Sequence, residues 1–211
     1  MRLKTLSASI TPAPYWSASF LVAALIFSAV FFMSVWSVEA QAHKGHGGPM
    51  VSLMKKKEAL KAMLPGGAKI VKRKQKVSGE AADRVEEQYG VDLANSVYTY
   101  YLAKDRESGE FIGAAIIQKF GYRHGDVSIA VGIDAGQRIT KAAITGLSEK
   151  YIPEFDGTVG TGFIGKYEGM TLKQLAGEVA GLESADKPTR LFASRLLEAA
   201  ALLDAFLHSA K

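Results

Sequence analysis

The basic pair Lys187 and Arg190 stands where the last apolar run of the chain begins, in Asp186-Lys187-Pro188-Thr189-Arg190-Leu191. A helix opening here presents unpaired backbone N–H groups and partial positive charge, a setting that favours an anion such as phosphate. Cations in a first turn oppose the helix dipole by about 0.3–1 kcal/mol, which makes physical sense if an anion sits between them. Arg190 adds a planar fork suited to phosphate, and Thr189 and Ser194 add hydroxyls on the same segment. The plainer alternative is that Asp186 caps the helix, Pro188 occupies its first turn and both cations are solvated.

A second candidate is the glycine-dense stretch Gly157 to Gly169. Here Gly160 and Gly162, with Gly157, Gly165, Thr158 and Thr161, let backbone come close to a planar ring or a phosphate. A mobile surface loop is the equal alternative. Tyr122, Arg123 and His124 lie in a loop that could line the same cleft. His43 and His46 form a remote copper-binding option in a Gly-rich linker, and no metal site is assigned. No nucleophile–base pair, paired carboxylates, nucleotide-triphosphate loop or dinucleotide loop is present, so no catalytic residue is named.

These groups need a scaffold, and the chain's ends say where it works. Arg2 and Lys4 precede Phe20 to Val38, a run with no charge, and Ala40-Gln41-Ala42 fits a small-residue cleavage pattern. That order reads as an export signal. The run approaches the roughly 20 residues that span a bilayer, so an uncleaved anchor is the rival reading. Either way the remainder is expected in the periplasm or on the extracytoplasmic face of the inner membrane. The sequence holds 0 cysteines, which excludes disulfides, thiolate-held iron–sulfur clusters and C-x-x-C-H haem attachment. The net charge of +5 becomes +4 without residues 1–42, and much of it lies in Lys55–Lys57 and Lys69–Lys76. Two solvated lysine-rich faces, or attraction to anionic lipid or an acidic partner, would account for it. Nucleic acid is not expected for an exported chain.

Residues 1–42 are thus read as signal peptide or membrane anchor, 43–50 as a linker, 51–90 as a helical lead-in and 91–211 as an α+β domain. Helices are expected over Val51–Leu64, stopped by Pro65-Gly66-Gly67, and over 80–88, with Ser78 as N-cap and Gly90 as terminator. The period then becomes strand-like. Val97–Ala103 and Phe111–Ile117 read as a hairpin around the polar turn Lys104–Glu110. A loop, Lys119–Asp126, precedes strands Val127–Ile133 and Arg138–Thr145. The expected fold is an antiparallel four-stranded meander covered by C-terminal helices, from Thr171 to about Val179 and from Thr189 to His208.

The stretch from Val97 to Leu203 resembles the small FMN-binding domain of the flavoprotein subunits of Rnf and Na⁺-translocating NADH:quinone reductase complexes. The resemblance lies in four segments. They are the hairpin Val97-Tyr98 with Phe111-Ile112-Gly113-Ala114, the loop Gly121–Asp126 leading into Val127–Asp134, Gly136–Thr140 running to Leu147-Ser148-Glu149, and the glycine stretch before Phe163–Thr171. Lys55 to Ala68 is similar to the family's lead-in. The resemblance implies an exported, membrane-associated electron carrier using FMN, with a redox protein as partner. It implies that the glycine stretch lies beside the flavin and that Glu149 hydrogen-bonds its ring. Many members bind FMN through a Thr of an S/T-G-A-T motif. Here Phe192 falls at that Thr, so the covalent link is expected to be absent. The candidate cofactor-binding set is Glu149, Thr158, Gly160, Thr161, Gly162, Lys187, Thr189, Arg190 and Ser194. The other expectation is a cofactor-free version of the fold serving as an interaction module or accessory subunit.

Overall fold

The computed structural model of the chain describes residues 47–208. The expected export segment, His43 and His46 lie outside the described residues.

Seven strands form one antiparallel sheet: β1 (Met50–Ser52), β2 (Lys69–Lys76), β3 (Val97–Lys104), β4 (Phe111–Tyr122), β5 (Gly125–Asp134), β6 (Ile139–Ser148) and β7 (Gly162–Phe163). Their order is β1-β6-β5-β4-β3-β2, and β7 shares the outer edge of β6 with β1. Five α-helices accompany them among the described residues: α1 (Lys56–Met63), α2 (Gly79–Tyr89), α3 (Ile152–Thr158), α4 (Leu172–Ala180) and α5 (Lys187–His208). The class is α+β, and the meander β3-β4-β5-β6 is the centre of the sheet.

The sheet is wider than the four strands expected, because β1 and β2 come from the expected linker and helical lead-in and β7 from the glycine stretch. The helix expected over Val51–Leu64 starts only at Lys56, since Met50–Ser52 pairs with Gly146–Ser148. The Leu53 and Met54 amides then both donate to the Thr145 carbonyl, at 3.0 and 3.1 Å, which turns the chain off the sheet before α1 begins. Lys69–Lys76 pairs along its whole length with β3 and forms one edge of the sheet. The expected loop Lys119–Asp126 is a tight hairpin: β4 and β5 stay paired to Tyr122↔Gly125, and Arg123 turns the chain at φ 52°.

Local signals act as their chemistry requires. The Ser78 hydroxyl accepts from the Ala81 amide at 3.3 Å at the start of α2, and Gly90 ends that helix in the left-handed conformation at φ 67°. Thr171 and Gln174 form a reciprocal capping box at the start of α4.

Two apolar layers hold the sheet. On one face, β-branched residues of β5 and β6 (Ile129, Val131, Ile133, Ile144) meet α5, which is buried along most of its girth from Phe192 to Phe206. Tyr100 of β3 stacks on Phe206 with centroids 4.8 Å apart and 17° between planes, an aromatic pair worth about 0.5–1.5 kcal/mol beyond its buried area. On the other face, α1 buries Ala59, Leu60 and Met63 against small residues, Ala115, Ala130 and Ala143. Small side chains there let a helix lie close to the sheet.

Candidate functional site

The first turn of α5 is closed by its own residues. Asp186 Oδ1 accepts the Thr189 amide at 3.0 Å and Oδ2 accepts the Thr189 hydroxyl at 2.8 Å. The backbone bond from Thr189 holds the Asp186 carboxyl below the usual carboxylate range, and the hydroxyl of Thr158, on α3, helps. Asp186 and Thr189 therefore meet at this corner, near Thr158, whose hydroxyl donates to the Glu154 carbonyl at 3.0 Å. The anion there is the chain's own carboxylate.

Lys187 and Arg190 leave this turn in different directions. Lys187 Nζ sits 5.8 Å from the centre of the Tyr122 ring, a cation–π contact at the β4–β5 hairpin. Arg190 Nη1 instead donates to the Glu183 carbonyl at 2.8 Å, in the connection from α4. The two cations do not form one cradle.

Arg190 does reach a cavity. One helical turn apart on α5, Arg190 and Ser194 line a hollow of about 370 Å³ whose other walls are Val179, Ala180, Leu182 and Glu183. Its volume falls within the range of roughly 300–1,000 Å³ typical of small-molecule sites. The hollow is open to solvent, with apolar groups from the end of α4 and the turn after it on one side and Arg190, Ser194 and the acidic Glu183 supplying its polar groups. Only one of the five N–H groups of Arg190 is used by Glu183, so the fork remains able to grip an anion.

The glycine stretch is tied down. The Val159 and Gly160 amides both donate to the Phe155 carbonyl at 2.8 Å, closing α3. Gly160 and Gly162, at φ 92° and 78°, then swing the chain into β7 on the edge of β6. Positive φ at both positions suits glycine on backbone grounds alone. The Thr161 hydroxyl donates to Asp156 Oδ1 at 3.2 Å. Glu149 is exposed and opens a short 3₁₀ turn (Glu149–Tyr151) after β6, where its amide donates to the Pro49 carbonyl at 3.0 Å. It lies beside Gly48, at the β1 end of the sheet.

A polar cluster at the hairpin tip joins these parts. Tyr122 donates its hydroxyl to Glu154 Oε1 at 2.6 Å, and Arg123 Nη2 donates to the same oxygen at 2.8 Å. The Tyr122 ring stands edge-on to Tyr151 and Phe155, with centroids 5.2 and 5.0 Å away. Burial, and then the bond to Glu154, pushes the Tyr122 phenol up to about 12. Sequence reasoning reached Tyr122 and Arg123 but missed Glu154. Its signal was slight: one acid in the first turn of a short helix.

The chain matches no family model, no curated protein and no solved structure. No match therefore identifies a flavin-binding family. Among the described residues, no group of three or more His, Cys, Asp or Glu side chains could hold a metal ion. No helix among them is long and apolar enough to cross a membrane. Phe192, where the resemblance would place an attachment threonine, is fully buried and packs beside Tyr167. A buried phenylalanine at that position has no hydroxyl with which to form a phosphoester.

Proposed function

We propose that this is an exported, membrane-associated protein of electron transfer that holds FMN without a covalent bond in the hollow between α4 and α5. The observation that carries the reading is the placement of Arg190 and Ser194 in one cavity against the apolar side of α4. Arg190 would grip the phosphate as a fork and Ser194 would add a hydroxyl, with Val179 and Leu182 as the apolar wall. A bound flavin would supply one- or two-electron transfer, and the chain would supply position and electrostatics. Lacking cysteine, the chain offers no thiolate for a rival redox centre. A redox protein is the partner this reading requires.

Titrating FMN fluorescence with the wild-type chain and with Arg190→Ala tests the site. Loss of a charged hydrogen bond weakens affinity by about tenfold or more. Equal affinities would remove the phosphate from this pocket.

A second reading has its own observation. Asp186 already occupies the Thr189 amide that a phosphate at the α5 start would meet. That favours a cofactor-free fold acting as an interaction module or accessory subunit of a membrane redox complex. A chain that takes up no FMN supports it.

A further inference from the structure

The sheet face that carries α1 combines exposed apolar side chains with unpaired lysines. Residues paired across neighbouring strands point to the same face. Ile70 pairs with Ala103 and Lys72 with Tyr101, and both partners belong to the layer under α1. Lys74 and Lys76, in alternate positions of the same strand, follow on that face, and Lys76 faces Val97. Phe163 pairs with Ala143, also of that layer. Met50 lines a cavity of about 280 Å³ on the same side with Lys56 and Ile117. The four exposed large apolar residues of the described chain are Met50, Ile70, Val97 and Phe163, at 39, 44, 66 and 43 % exposure. All four belong to this one face.

Its charge is mainly basic, although Glu58 stands in the first turn of α1 and Asp126 and Glu168 pair with Lys119 and Lys141. Lys72, Lys74 and Lys76 are exposed and make none of the ion pairs found among the described residues. Lys56 lies over the Tyr101 ring at 4.9 Å, and Lys57 and Lys61 of α1 add to the same layer. Lysines on an edge strand alone are a common guard against strand pairing. That guard does not call for Val97 to be exposed beside them, nor for Phe163 to be exposed at the opposite edge of the same face.

We propose that this face docks on an anionic lipid surface, with Ile70, Val97 and Phe163 entering the head-group boundary and the lysines holding lipid phosphates. Long lysine side chains can lay their stems on apolar surface while their ammonium groups reach the phosphates. The sequence adds a reason to choose lipid over an acidic protein. Only residues 39–49 separate the uncharged run Phe20–Val38 from β1, an edge strand of the sheet whose Met50 opens on this face. Eleven residues reach at most about 40 Å. The proposal stands apart from the flavin reading.

The absence of cysteine permits a clean test. The full chain is placed in phosphatidylcholine nanodiscs with or without phosphatidylglycerol. An environment-sensitive dye is attached at Ile70→Cys, Val97→Cys or Phe163→Cys, and at Ser184→Cys on the α5 side as reference. The expected result is a blue shift, with quenching by nitroxide lipid, at positions 70, 97 and 163 in the anionic discs alone. The reference stays aqueous. Adding Lys72→Glu, Lys74→Glu and Lys76→Glu together should abolish the shift at 70 and 97, since three lysines account for roughly a hundredfold in surface affinity. Face and reference dyes responding alike would overturn the proposal. So would face dyes that stay aqueous on anionic discs yet shift with polyglutamate, which would assign the face to an acidic protein.

Discussion

The Phe192 ring lies 5.8 Å from the Tyr167 ring, centroid to centroid, and has no exposed surface. A side chain so placed belongs to the core between α5 and the chain leading into α4. Truncating a buried phenylalanine costs about 3–5 kcal/mol. Phe192→Ala should lower the unfolding free energy from urea melts by that amount, and an unchanged midpoint would deny the residue its packing role.

Asp186 should matter to stability as a cap. Asp186→Ala is expected to cost about 1 kcal/mol near neutral pH, the usual loss when an N-cap side chain is removed. Its carboxyl is held low in the folded chain, so its contribution is present above the ordinary value of 3.8 and fades as pH falls through the lowered one. Denaturation midpoints of wild type and Asp186→Ala should therefore converge on acidification.

Asp204 acts in the opposite sense. It is 1 % exposed, and neither carboxylate oxygen is hydrogen-bonded. His208 Nδ1 lies 3.2 Å from Oδ1 but makes its hydrogen bond, at 3.0 Å, with the Asp204 carbonyl. Burial raises the Asp204 carboxyl above 3.8, opposed in part by the charges of His208 and Arg84. A raised folded value means that its stabilising effect is full below 3.8 and is lost as pH climbs through the raised value. Asp204→Asn should raise neutral-pH stability by roughly 1 kcal/mol and flatten the loss between acidic and neutral pH. Urea melts across that window check both.

The Tyr122 phenol should ionise late. Its folded value of about 12 exceeds the ordinary 10.0, so its stabilising effect is full below pH 10 and fades as pH rises through 12. An ultraviolet titration should show Glu154→Gln bringing one tyrosine down toward the ordinary value. Tyr122→Phe should delete that late step.

Much of the fold is legible in the sequence where side chains alternate between core and solvent. Val97–Ala103 and Phe111–Ile117 announce a hairpin because their apolar residues must face a buried layer. Ser78, Gly90 and Thr171 announce helix ends because their groups satisfy or free the backbone locally. β2 is silent because it is an edge: Lys69, Lys72, Arg73, Lys74 and Lys76 reach water, and the apolar pattern that marks a strand is absent. β1 is three residues long, and its partners lie far along the chain in β6. The hairpin at Arg123 is hidden because a non-glycine residue takes up a left-handed turn. At the α5 start the capping role of Asp186 is local, since its partner Thr189 lies three residues along the chain. The parting of Lys187 and Arg190 is not local, since it depends on Tyr122 and Glu183 arriving from other elements.

The most direct measurement is the visible absorption spectrum of the purified full chain, recorded before and after denaturation and desalting. A non-covalent flavin predicts a yellow protein whose colour passes into the small-molecule fraction once the chain unfolds. Colour that travels with the unfolded chain, or a colourless protein that takes up no added FMN, would contradict the account.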